Sequence, residues 1–226
     1  MSITENLNRI KSTLPVGVTL VAVSKTKPNE AVLEAYRAGQ RVFGENKVQE
    51  MVSKYEALPK DIEWHLIGHL QTNKVKYIAP FVSMIHSVDS LKLLSVIDKE
   101  GERNGRIIQC LLQFHIADEE TKFGLSYDEA VGLLESEEYR SMKNIRIRGV
   151  MGMATFSDDV DQVRSEFANL KNCFDRLKSS FFMEEQSFSE ISMGMSDDYL
   201  LAIGQGSTMV RVGSSIFGVR NYSVEG

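Results

Sequence analysis

Eight short apolar runs rich in β-branched residues recur along the chain, at 18–24, 41–44, 62–68, 81–87, 107–115, 145–151, 188–193 and 209–213. Helical patterns, not two-residue turns, separate them. Strands that are apolar on both faces and joined by helices indicate a parallel sheet, and eight such units are what closing a (β/α)8 barrel requires. The expected fold is therefore α/β, a single TIM-type barrel domain spanning residues 1–226, with an open doubly wound sheet as the alternative. Residues 5–14 predict an extra N-terminal helix. Little sequence follows strand eight, so that helix can fill the place of a last outer one. The clearest helix carries Val160, Val163, Phe167, Leu170, Phe174 and Leu177 behind the cap pair Asp158-Asp159. Two further start signals are Pro28-Asn29, with Gly39 as the stop, and Asp89 ahead of Leu91, Leu94 and Ile97. Residues 183–189 read as a loop.

Several function classes fall away on composition. With 26 basic against 31 acidic residues, a net charge of −5 and no long Lys/Arg block, nothing tracks a nucleic-acid backbone. No apolar stretch approaches the ~18 residues of a membrane span, and the N-terminus has no basic-then-apolar leader, so a cytoplasmic protein is expected. Cys110 and Cys173 lack a Cys-x-x-Cys partner. His65 and His69 have the spacing of a helical metal pair, but they straddle a strand end and no Glu follows the first, so no metal is expected. Nucleophile-elbow and phosphate-loop signatures are absent.

In a barrel the chemistry sits where the strands end. Strand one ends Ser24-Lys25-Thr26-Lys27-Pro28. A lysine leaving an apolar strand, with a second cation two residues on, is placed for a neutral, nucleophilic amine; two solvated lysines are the bland alternative. Strand two ends Gly44-Glu45-Asn46, strand seven ends Ser192-Met193-Gly194-Met195-Ser196, and strand eight reads Arg211-Val212-Gly213-Ser214. Small residues after strands seven and eight suit an amide-lined phosphate site, or else simple tight turns.

Ala22-Val-Ser-Lys-Thr-Lys-Pro28, Phe43-Gly-Glu-Asn46, Trp64-His-Leu-Ile-Gly-His-Leu-Gln71, Ser192-Met-Gly-Met-Ser196, and Gly206-Ser-Thr-Met-Val-Arg-Val-Gly213 with Ile216-Phe-Gly218 together resemble the pyridoxal-phosphate homeostasis protein family. The resemblance runs from about residue 20 to about residue 220. It implies a barrel similar to the N-terminal domain of alanine racemase, with pyridoxal 5′-phosphate held as a Schiff base on Lys25. It further implies phosphate contacts at Ser196, Gly213 and Ser214, Arg211 facing the pyridine nitrogen, and Asn46 and Met193 flanking the ring. Ser192 is the alternative phosphate hydroxyl; Ser196 is preferred because it can present a helix N-terminus as well.

The implied role is intracellular pyridoxal phosphate homeostasis or carriage, by a monomer that hands the cofactor to apoenzymes and is not itself an enzyme. A pyridoxal-phosphate-dependent amino-acid racemase is the alternative. Against it stand the arginine, a poor acid at the ring nitrogen, and the chain's end at Gly226, which leaves no room for the further domain that supplies the racemase's second acid/base.

Overall fold

The strands pair because each run is apolar on both faces and can be buried on both. The computed structural model describes residues 1–117 and 123–218. The order is α1 (Ile3–Thr13), β1 (Thr19–Val23), α2 (Asn29–Arg37), β2 (Val42–Glu45), α3 (Val48–Ala57), β3 (Glu63–Leu66), α4 (Val75–Ile78), β4 (Met84–Val88), α5 (Leu91–Arg103) and β5 (Ile108–Gln113). It continues α6 (Tyr127–Glu135), α7 (Glu137–Ser141), β6 (Ile145–Met151), α8 (Val160–Phe181), β7 (Glu190–Ser192), α9 (Tyr199–Gly204), β8 (Met209–Val212) and α10 (Ser214–Phe217). Each strand is parallel to the next, and β8 returns to β1 with Thr19 opposite Met209 and Ala22 opposite Val212, closing the barrel. The open-sheet alternative is excluded.

Alternation along the strands sorts the side chains into two cores. Outward residues such as Ala22, Phe43, Trp64, Ile85, Leu112, Val150 and Val212 pack beneath the helices in one continuous cluster. Inward, Val21, Met84, Leu111, Met151 and Met209 fill the barrel's interior. One step closer to the C-terminal ends the interior turns polar, with His65, His86, Ser192 and Arg211 all buried. The mouth therefore stands on a polar floor over an apolar plug.

The helix signals hold with local shifts. A capping box of Ser2 with Glu5 starts α1 earlier than the hydrophobic pattern does. Ser90, not Asp89, caps α5, and Leu93 joins its buried face. Asp159 caps α8, whose buried stripe takes Cys173 while Val160 stands in solvent. Residues 183–189 do lack helix and strand, yet Phe188 is fully buried there and stacks on Phe174 and Phe182 at 4.9 and 4.1 Å. After β8 the outer layer is completed by the short α10 and by α1, joined where Asn6 Nδ2 donates to the Ile216 carbonyl at 3.1 Å.

Candidate functional site at the barrel mouth

The strand ends enclose a cavity of about 420 Å³. Lys25, Asn46, Ser196, Arg211, Gly213 and Ser214 all line it, together with Lys27, Ile67, Met153 and Met195. Met193, expected beside the ring, does not. Ser192 points inward on β7, so its neighbour Met193 points outward and is fully buried in the layer beneath the helices. Met153 and Met195 are the sulfur-bearing walls instead. His65 and His69 diverge: the first lies inside the barrel, the second stacks on Phe123 at 4.1 Å and sits 3.5 Å from Asp89. Among the described residues no group of three potential metal ligands forms.

The floor is a directed chain of hydrogen bonds. Arg211 Nη1 donates to Ser192 Oγ at 2.6 Å and to the Ser192 carbonyl at 2.8 Å, while Nη2 donates to the Gly152 carbonyl at 2.9 Å. A guanidinium only donates, so Ser192 Oγ accepts from Arg211 and its hydrogen is available to His86 Nδ1, 3.0 Å away. In that arrangement a neutral His86 carries its proton on Nε2 and gives it to His65 Nδ1 at 2.9 Å. Burial supports neutral rings: it lowers His65 to about 3 and, with the neighbouring His65 and Arg211, holds His86 well below the usual range. Burial also lowers Arg211 to about 10, still a cation at neutral pH. Ser192 is engaged by this network and does not line the cavity.

Ser196 borders the cavity but caps no helix, because α9 begins at Tyr199 after Asp198. Its Oγ instead accepts from the Gly213 N–H at 3.2 Å and so ties the loop after β7 to the turn after β8. A Cβ on Gly213 would lie 3.0 Å from the Val23 carbonyl oxygen and 3.2 Å from Val23 Cβ, so glycine lets this turn approach β1.

Behind Lys25 lies a cluster that sequence reasoning missed. Lys54 of α3 is buried and its Nζ donates to the Ser24 carbonyl and Glu45 Oε1, both at 2.7 Å, and to Glu50 Oε1 at 2.8 Å. The Ser24 hydroxyl donates to Glu45 Oε1 at 2.6 Å. Thr26 N–H donates to Glu50 Oε1 at 2.6 Å, and Thr26 has φ 64°, the one left-handed non-glycine backbone among the described residues. The carboxylates thus hold a strained turn that presents Lys25 to the cavity. Burial raises the Glu45 carboxyl despite the lysine beside it. A polar pair Ser24 and Glu45 on the outward face of two otherwise apolar strands was the available signal.

Comparison with known proteins places this geometry. A family model described as the N-terminal domain of alanine racemase matches residues 1–221. The pyridoxal phosphate homeostasis protein of Haemophilus influenzae is 37% identical over 236 residues, covering 99% of this chain and 98% of the relative. The structure of PipY from Synechococcus elongatus, solved with PLP bound, superposes with a TM-score of 0.87 at 35% identity, covering 96% of this chain and 100% of that one. Alanine racemase from E. faecalis shares the fold with a TM-score of 0.74 at 16% identity, over 97% of this chain and 58% of the racemase.

Proposed function

The chain belongs to the alanine racemase N-terminal domain family and to the pyridoxal phosphate homeostasis proteins within it, and from that premise we propose that it binds pyridoxal 5′-phosphate as a Schiff base on Lys25 and serves as an intracellular carrier of the cofactor. One observation carries the reading: a single cavity gathers an amine, a donor-only cation, and the serines and glycine turn after β7 and β8. The donor set fits the group. Lys25, Lys27 and Arg211 offset an anion's charge, and Ser196 and Ser214 offer hydroxyls beside Gly213, whose amide holds Ser196 in place. Asn46 Oδ1, buried with no hydrogen-bond partner, leaves an acceptor for a ligand.

When bound, the cofactor supplies an imine and an electron-withdrawing ring. Arg211 limits the second of these. Its two amino groups are fixed on Ser192 and Gly152, and at neutral pH it keeps its own protons, so a pyridine nitrogen set against it would gain no proton from it. Holding the cofactor is favoured over carbanion chemistry, and the racemase alternative is disfavoured. The reading includes a cytoplasmic monomer that binds no nucleic acid and passes the cofactor to apoenzymes. No helix among the described residues is long and apolar enough to cross a membrane.

Borohydride reduction of the loaded protein followed by peptide mapping should place the pyridoxyl group on Lys25. Its appearance on Lys27 would overturn the assignment. Pyridoxal lacking the phosphate should bind far more weakly, and amino acids incubated with the loaded protein in deuterated water should keep their α-hydrogen. Exchange with turnover at ~1 s⁻¹ or faster would make the protein an enzyme.

A further inference from the structure

A second cavity of about 580 Å³ opens beside the first and shares Met195 and Asp197 with it. Phe156 before α8, Val160 on α8 and Leu200 on α9 line it, at 87%, 53% and 57% exposure. Scattered exposed hydrophobes need no explanation, but three of the nine large ones among the described residues converge here. The walls are held from behind. Thr155 is bound through its N–H and Oγ1 to the buried Glu166 carboxylate at 2.6 and 2.8 Å, which pins the loop that thrusts Phe156 outward. Opposite, the Met195 N–H donates to Asp198 Oδ1 at 2.5 Å. The rim carries Asp158, Asp197 and Asp198; Asp198 also acts on Arg211, and Asp197 borders Lys25 and Lys27 in the first cavity, while Asp158 lines the second cavity alone. The cation nearest in sequence on α8, Arg164, is paired with Asp161 at 2.7 Å.

We propose that this groove docks a basic segment of a partner protein, anchored by apolar side chains on Phe156, Val160 and Leu200 and steered by the three aspartates. The proposal rests on the carrier reading, since a partner seated here borders the cavity that holds Lys25. Charge selects the occupant. A second copy meeting this face symmetrically would set Asp158, Asp197 and Asp198 against their own counterparts, and an anionic lipid surface would be repelled. A preformed apolar groove with an acidic rim suits a cationic amphipathic segment, which loses little by docking on walls that are already ordered.

The probe is a fluorescein-labelled amphipathic peptide of leucine and lysine, titrated by anisotropy against the cofactor-free protein, with a leucine–glutamate peptide as control. The lysine peptide should bind, the glutamate peptide should not, and added salt should weaken binding. The double variant Phe156→Ser/Leu200→Ser should lower the affinity at least ~10-fold, because anchors of this kind dominate small interfaces. Met183→Ser, at an exposed hydrophobe elsewhere, should leave it unchanged. Equal binding of the two peptides, an unaffected double variant, or an equal loss in Met183→Ser would overturn the proposal. So would a dimer, seen by light scattering, that the double variant dissociates.

Because the titration uses cofactor-free protein, failure of the Lys25 imine and failure of the groove are read separately. In the loaded protein, peptide binding should change the rate of cofactor release through the shared Met195 and Asp197, and the double variant should abolish that change.

Discussion

Two buried polar clusters flank the same strand ends, one inside the barrel and one outside. Inside, His65, His86, Ser192 and Arg211 carry one positive charge among four side chains, and burial keeps both imidazoles neutral. Outside, Lys54 lies between Glu45 and Glu50 and ion-pairs with both. The contrast follows from what each cluster faces. α3 covers the outer one, so its buried cation finds its counter-charges among its own members. The inner one borders a cavity, and Arg211 feels the Asp198 carboxylate without forming a salt bridge to it, so its charge also bears on the site. The outer cluster is therefore a brace and the inner one a receptor floor.

Removing one partner from the outer cluster should have the largest effect. In Lys54→Met the Glu45 carboxylate stays buried with only the Ser24 hydroxyl, and one of its oxygens already lacks a partner. Breaking a buried pair from one side costs about 3–5 kcal/mol, to be read from urea unfolding. A loss below about 1 kcal/mol would mean that the pair does not brace the turn.

The inner cluster should reveal itself through acid. Both histidines have folded values depressed below the ordinary 6.5, so the unfolded chain binds protons that the native one refuses. Their contribution is complete above about pH 6.5 and is lost as pH falls toward the folded value, about 3 for His65. Two such groups give a slope of about 2.7 kcal/mol per pH unit. Glu45 works with the opposite sign, because its raised value gives the native state an extra proton just above the carboxylate range and flattens the curve there. His65→Gln should reduce the acid slope by about 1.4 kcal/mol per pH unit. Lys54→Met should leave the histidine part of the curve in place, and a histidine slope that vanished with it would merge the two clusters into one.

The two clusters were unequally legible in the sequence. The barrel was readable because its signal is repetitive: eight runs buried on both faces admit few other arrangements. That Lys25, Asn46, Ser196, Arg211, Gly213 and Ser214 share one cavity was readable because they lie at strand ends. Met193 was misplaced because facing alternates strictly along a strand, and inward Ser192 determines it. Lys54 lies nine residues from Glu45, on the helix α3, and no local pattern announces that a lysine there turns back under the preceding strands. The direction of the His65–His86–Ser192–Arg211 chain needs distances across β3, β4, β7 and β8, which no one-dimensional spacing holds.

The smallest expected change in stability is at the residue with the largest expected role. Lys25 is half-buried at the end of β1, while the backbone around it is fixed by Lys54 on the Ser24 carbonyl and by Glu50 on the Thr26 amide. Neither contact uses the Lys25 side chain. Lys25→Ala should therefore cost about 1 kcal/mol or less in urea unfolding while abolishing the imine absorbance with pyridoxal phosphate. Phosphate-dependent binding should persist at reduced affinity, because Ser196, Gly213, Ser214 and Arg211 remain in place. Equilibrium dialysis of the variant with pyridoxal phosphate and with pyridoxal separates the two contributions. A variant that kept the imine absorbance would move the linkage to Lys27. One that unfolded would show that Lys25 belongs to the brace and not to the receptor.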